Sequence, residues 1–340
     1  MVSTAGSKSF ADMGRRQQLA AVRASARAAL DHFDMPTASL KLVYHDFNTT
    51  FRVRTDDGED AALRINLNSA YGAEAVEAEA EWVALLARDG VCQVPTPRPT
   101  IGGGFVAPVA CRGFDQPLPA VMYSWLPGRD IGERCYPVQF RALGETMAAL
   151  HDHTTRPSAA VADITARRPT LDSTLLDDPD RIRPGHSALS QATHRFLVET
   201  MDHVDETAAP IYLGPAQLIH GDLHHYNLKW SRAGLGVFDF DDCGLAHPLL
   251  DLAISTYYVR DSPALEEALF DGYTSRRELP AHTRDQFEAL VAARNLTLLN
   301  FVLGTVTAGY NDFIPTYVER TVKRLRRYIS TGTFSLSTDQ

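Results

Sequence analysis

The spacing of apolar positions changes period several times along the chain. From about Asp12 to Phe33, Leu19, Val22, Ala26, Ala29 and Phe33 recur at helical intervals. The period then drops to two. Segments 40–45, 50–55 and 60–67 alternate like half-buried strands, and Asp57-Gly58 is a hairpin turn signal. Helical spacing returns from about Gly72 to Arg88. Residues 94–126 revert to strand-like runs, cut by Gly102–Gly104, Gly113 and several prolines. The first third therefore reads as a helix and a small, mostly antiparallel sheet with one helix inserted. Residues 1–10 carry no periodic pattern and read as disordered.

After Pro127-Gly128 the pattern turns helical. Pro137 suits a first helical position, and Phe140, Leu143, Met147 and Leu150 then share one face. Residues 154–187 are the least regular stretch. Further helices are expected near 188–208, 263–276, 282–310 and 315–329. No internal repeat is present. The break near residue 126 divides the chain into a β-rich segment 1–125 and a helical segment 126–340.

Bulk properties narrow the classes. A chain of 340 residues exceeds the size at which single cores stop growing, about 250–300 residues, so two lobes are expected. The net charge of −9 argues against a nucleic-acid partner. Cys92, Cys111, Cys135 and Cys243 show no CxxC spacing and read as reduced thiols of a cytoplasmic protein. Arg15-Arg16 is followed by no apolar h-region, and no uninterrupted apolar run approaches the roughly 20 residues of a membrane helix. The expectation is no signal peptide and no membrane partner.

The chemistry concentrates between Leu218 and Leu252. If residues 228–230 and 236–240 pair around a turn at Gly234, Asn227 and Asp239 stand side by side, about 5 Å apart. An amide oxygen and a carboxylate suit Mg²⁺, a hard cation that takes oxygen ligands. Asp222, five residues before Asn227, could then accept the proton of a hydroxyl aimed at a metal-held phosphate. A competing chemistry makes His220, Asp222, His224 and His225 ligands of a two-metal hydrolase. It leaves Asn227 and the acidic hairpin without a role.

His220-Gly221-Asp222-x-x-x-x-Asn227, followed by Asp239-Phe240-Asp241-Asp242, resembles the aminoglycoside phosphotransferase and choline kinase-like family. It is also similar to the protein-kinase HRDxxxxN loop and DFG segment, although Asp241 replaces the DFG glycine. The resemblance implies a bilobal protein kinase-like α+β fold, with a small β-rich N-lobe, a larger helical C-lobe and ATP or GTP between them. It implies Asp222 as base, His224 near the transferred phosphate, and Asn227 and Asp239 as Mg²⁺ ligands. Asp251, in His247-Pro-Leu-Leu-Asp251-Leu, would brace the catalytic loop. A pseudokinase binding module is disfavoured because every required polar group is present.

The same resemblance assigns the first lobe. Arg64 takes the place of the protein-kinase lysine, with Glu79 as its helix partner and Glu77 as second choice. On that basis Arg64→Ala should weaken nucleotide binding and leave stability nearly unchanged. Asn48, in His45–Thr50, would cover the phosphates, and backbone groups of Tyr123, Ser124, Trp125 and Leu126 would meet the base. Gly102–Gly104 reads as a plain turn. His151 and the cysteines read as structural.

Members of the family phosphorylate aminoglycosides, macrolides, choline and other small alcohols, and some relatives phosphorylate proteins. Here only about ten residues separate Asp239 from the helix expected near Leu249, too few for an activation loop. That favours a small-molecule alcohol over the substrate of a stress-type Ser/Thr protein kinase. Asp172, Asp177, Asp178 and Asp180 would favour a cationic acceptor such as an amino sugar. The plainer reading of these aspartates is a solvated loop with helix caps.

Overall fold

In a computed structural model that describes residues 8–35, 39–55, 58–68, 71–310 and 312–337, the period-two segments form one antiparallel sheet. Residues 1–7 and Asp57 of the expected Asp57-Gly58 turn lie outside the described residues. The chain divides into two units: Met1–Ala84, Pro95–Trp125 and Thr305–Asp312 form one, and Leu85–Val94, Leu126–Gly304 and Phe313–Gln340 the other. Division at residue 125 is thus modified by two exchanged segments, 85–94 and 305–312.

In the first unit, α1 (Arg15–Leu30) precedes β1 (Ser39–His45), β2 (Thr49–Arg54) and β3 (Asp60–Ile65). Then come α2 (Ala73–Arg88), whose last turn belongs to the other unit, and β4 (Val106–Val109) and β5 (Leu118–Ser124). The strand order is β1-β2-β3-β5-β4, all antiparallel. Phe51, Val53, Ala61, Leu63 and Ile65 pack in one cluster with Val22, Ala26 and Ala29 of α1. Burial of these alternating side chains fixes the strand register, because a one-residue slip would turn them to solvent. Arg64 opposes Thr50 on β2 and Val121 on β5, in the middle of the sheet.

The second unit begins with β6 (Arg129–Asp130), α3 (Pro137–Thr155), α4 (Ala159–Ala166) and α5 (Gln191–Tyr212). Next come β7 (Gln217–Ile219), β8 (Leu228–Ser231), β9 (Gly234–Val237) and β10 (Gly244–Ala246). It ends with α6 (Leu249–Val259), α7 (Pro263–Thr274), α8 (Arg284–Gly304) and α9 (Ile314–Thr331). Glycines let α3 and α7 cross closely: a Cβ at Gly144 would lie 2.0 Å from the Leu269 carbonyl oxygen, and one at Gly272 2.0 Å from that of Arg141. By length and composition α8 is apolar enough to cross a membrane, and 83% of its apolar window is buried inside the protein.

Three elements differ from the sequence-based expectation. The irregular stretch 154–187 contains α4, started by the Ser158 hydroxyl, which accepts from the Val161 N–H, and held by buried Val161 and Ile164. Helix α8 ends at Gly304 instead of continuing to 310. Past it, within the first unit, the Val306 N–H donates to Asn68 Oδ1 at 2.9 Å and the Ala308 N–H to Gln18 Oε1 at 2.8 Å. Side chains thus replace the helical carbonyls as acceptors. Third, β9 is shorter than expected and stops at Val237, which pairs with Leu228.

Candidate active site

The loop after β7 is fixed from below by α6. Asp251, fully buried in the first turn of α6, accepts from the His220 N–H at 3.1 Å and the Gly221 N–H at 2.8 Å. His151 Nε2 donates to the same carboxylate at 3.1 Å, and the Tyr273 hydroxyl donates to His151 Nδ1 at 3.0 Å. The structural reading of His151 and the bracing role of Asp251 both acquire a geometry. Gly221 has φ +79°, and a Cβ there would lie 2.2 Å from the Asp242 carbonyl oxygen. Only glycine fits a backbone turned that way at that separation.

This frame presents Asp222. Its Oδ2 accepts from Asn227 Nδ2 at 2.9 Å and from His224 Nε2 at 3.2 Å, and its Oδ1 accepts from Arg294 Nη2. His224 Nδ1 accepts from the Tyr226 N–H at 3.2 Å, so the ring proton sits on Nε2, facing Asp222. Burial pushes the Asp222 carboxyl up, but the adjacent His224 and Arg294 outweigh it and hold the group well below the usual carboxylate range. Asp242 goes the other way: burial, reinforced by Asp222 and Asp241, raises it well above that range.

Asn227 Nδ2 donates to Asp222 twice, to the carbonyl and to the carboxylate, both at 2.9 Å. The amide nitrogen is thereby turned inward, and Oδ1 is the atom left for a hard cation. Asp239 leaves β9 in a left-handed conformation, φ +66°, uncommon for a residue with a side chain. The cross-strand pairing of Asn227 with Asp239 is off by one. The Phe238 N–H donates to the Asn227 carbonyl at 3.1 Å, so Phe238 opposes Asn227 and Asp239 follows beyond the strand end. One amide oxygen and one carboxylate at the end of this hairpin remain a donor set that fits Mg²⁺.

His224, expected near the transferred phosphate, directs its Nε2 proton at Asp222. The two-metal reading finds no converging ligand set among the described residues. His220 Nδ1 accepts from the Asp222 N–H and both nitrogens of His224 serve the loop. Among the described residues no three His, Cys, Asp or Glu side chains converge on a metal position.

Sequence reasoning missed Arg294 and Tyr258. Arg294 is 6% exposed on α8 and also donates to the Tyr258 hydroxyl at 3.1 Å. The Tyr258 ring lies 4.1 Å from that of His224. A signal existed: an arginine inside the apolar run Ala289–Leu299 must find a carboxylate, since a buried unpaired charge is very costly.

The first unit holds the other candidates. Arg64 Nη2 donates to Glu79 Oε2 at 2.5 Å, Arg64 Nε to Asn66 Oδ1 at 3.1 Å, and the Tyr123 hydroxyl to Glu79 Oε1 at 3.1 Å. Glu77 instead accepts the Phe105 and Val106 N–H groups at 2.7 and 2.9 Å, which removes it as the partner of Arg64. The Asn48 amide oxygen accepts from the Leu67 N–H at 3.0 Å, within its own unit. The Ser124 and Trp125 N–H groups donate to the Thr96 and Asp60 carbonyls at 2.8 and 3.3 Å, so those two donors are already engaged. Leu126 is buried in the second unit against Gly236.

Of the four loop aspartates, Asp180 accepts the Ile182 and Arg183 N–H groups at 2.8 and 2.9 Å, capping its own turn. Asp172 and Asp177 are exposed, and burial raises the pKa of Asp178. From Asp239 to α6 the chain holds only the short strand β10, paired with β7. The four cysteines are free thiols.

Comparison with known proteins adds a lineage. A model of the phosphotransferase enzyme family matches residues 45–285. Amicoumacin kinase of Bacillus subtilis is 23% identical over 209 residues, which cover 60% of this chain and 58% of that relative. The match therefore spans less than two thirds of that relative's length. A solved amicoumacin kinase in complex with AMP-PNP, Ca²⁺ and Ami superposes with a TM-score of 0.72 at 16% identity, over 92% of this chain and 96% of that one. At that identity the likeness speaks to the fold, which is protein kinase-like. A microcompartment-associated aminopropanol kinase superposes with a TM-score of 0.69 at 25% identity, over 92% and 99% of the two chains.

Proposed function

Since the chain belongs to the phosphotransferase enzyme family, we propose that it transfers the γ-phosphoryl group of ATP or GTP to a hydroxyl of a small molecule. The observation that carries this reading is the Asp222 carboxylate, held by Asn227, His224 and Arg294 on a loop pinned by Asp251. The likeness to the aminopropanol kinase supports a small alcohol as acceptor. So does the short path from Asp239 to α6, which offers no long segment for a protein substrate to dock on.

The acceptor oxygen attacks the γ-phosphorus in line, the bond from that phosphorus to the β-bridging oxygen breaks, and the nucleoside diphosphate leaves. The hydroxyl proton passes to Asp222. Because Asp222 is held strongly acidic, its first contribution is to orient the hydroxyl, with the proton accepted late. Asn227 Oδ1 and the Asp239 carboxylate would hold Mg²⁺, which when bound neutralises charge on the phosphates. In the first unit, Arg64, kept in place by Glu79 and Asn66, offers a guanidinium for bidentate phosphate contact. Four free thiols agree with a reducing, cytoplasmic setting.

The test is Asp222→Asn. It should lower kcat by roughly 10²–10⁴-fold while the nucleotide KM stays near that of the parent enzyme. Parent-like turnover of an alcohol panel by this variant would overturn the assignment.

A further inference from the structure

Beside the catalytic loop, inside the second unit, lies a cavity of about 620 Å³, large enough for a small organic ligand. Tyr226 and His225 form part of its wall, and they are the fourth and third residues after Asp222. Tyr257, Tyr258 and Tyr317 supply further aromatic surface. Tyr258 joins the cavity to the site, since its ring lies against His224 and its hydroxyl accepts from the arginine that holds Asp222.

The charge of the wall is unexpected. Arg320 and Arg324 of α9 both line it, against a single acid, the exposed Glu133. No carboxylate of the described residues lies within ion-pair distance of either arginine. Two other arginines of this unit do meet carboxylates: Arg260 meets Glu266 and Glu288, and Arg183 meets Asp180, Asp202 and Asp205. Arg320 instead lays its guanidinium over Tyr317 at 5.0 Å and Phe313 at 5.7 Å. Its buried Nε has no hydrogen-bond partner among the described residues. Arg324 donates to the Leu336 carbonyl at 2.8 Å and to the Tyr257 hydroxyl at 3.4 Å, neither of which neutralises it.

Two guanidinium groups with no carboxylate partner among the described residues, set on an aromatic wall, suit a ligand with a planar body and an anionic group. We infer that this cavity holds the acceptor, and that the acceptor is a hydroxylated molecule carrying a carboxylate or phosphate beside a flat unsaturated body. The inference rests on the phosphotransfer reading above and replaces the amino sugar suggested by the loop aspartates. Asp172, Asp177, Asp178 and Asp180 do not line the cavity; nor does Asp222, so the acceptor must extend its hydroxyl past the wall residues His225, Tyr226 and Tyr258 to reach the base.

A matched set of probes tests it: 4-(hydroxymethyl)benzoate, its neutral carboxamide and its cationic aminomethyl analogue, with ATP and Mg²⁺. Binding is measured by calorimetry and transfer by radiolabel. The benzoate should bind and be phosphorylated at least 10-fold more efficiently than the other two. Arg320→Gln and Arg324→Gln should each raise the KM of the benzoate about 10- to 100-fold, and more than the nucleotide KM. Arg320→Lys should recover part of the loss, which a merely misfolded variant would not show. Preference for the cationic or neutral probe, or an unchanged acceptor KM in both glutamine variants, overturns the inference and leaves the kinase reading standing. Failure of all three probes to bind overturns it as well. Arginine-dependent binding of the benzoate, with no transfer to any alcohol, would uphold the anion site and sink the kinase reading.

Discussion

Arg294 of α8 donates from Nη2 to Oδ1 of Asp222, so a guanidinium covers one oxygen of the proposed base while Asn227 and His224 hold the other. An acceptor hydroxyl approaching Oδ1 must share or displace that contact. Removing the guanidinium leaves a carboxylate enclosed without its counter-charge. Arg294→Ala is expected to cost about 3–5 kcal/mol of stability. With Asp222→Asn in the same chain the loss should be much smaller than the sum of the single losses. Urea unfolding of the four variants checks this, and strict additivity would show that the pair is uncoupled.

Arg64→Ala is expected to raise the nucleotide KM more than the acceptor KM. The geometry alters the stability half of the sequence-based expectation. Arg64 is buried against Glu79, which is 1% exposed, so losing the arginine strands a carboxylate and should cost about 3–5 kcal/mol. An unfolding midpoint equal to that of the parent would refute the coupling.

Gly144→Ala should destabilise by about 1–3 kcal/mol, because the added methyl has no room against the Leu269 carbonyl and α7 must shift. Tyr273 sits on α7 and reaches Asp251 through His151, so turnover should fall along with stability. Full activity in a variant that unfolds like the parent would show that the helices separate freely.

Burial, with Arg15 adding to it, lowers His45 to about 4. Its Nδ1 lies 2.7 Å from the Thr49 hydroxyl. The unfolded chain binds a proton near pH 6.5 and the folded one only near pH 4. Stability is therefore lost as pH falls from about 6.5 to 4, by up to about 3 kcal/mol, and is fully present above that window. In His45→Asn, whose amide can keep the Thr49 contact, the part of the pH dependence due to this residue should vanish. Matched slopes for parent and variant between pH 7 and 4.5 would count against it.

Much of this protein is legible in the order of its residues, for local reasons. Alternation placed β1 to β3, helical spacing placed α2 and α3, and HGDxxxxN with its hairpin marked the loop that carries Asp222 and Asn227. Those signals work because strand period, helix period and turn chemistry act over a few neighbouring residues. The tertiary structure alone decided which partners meet. It chose Glu79 over Glu77 for Arg64, because Glu77 is engaged by the Phe105 and Val106 amides. It ended α8 at Gly304, where acceptors from Asn68 and Gln18 replace those of a helix. It brought Arg294 to Asp222 across 72 positions of sequence and set no carboxylate of the described residues within ion-pair distance of Arg320 or Arg324. A buried charge must be matched by whatever group the packed fold sets beside it, and sequence distance does not determine which group that is.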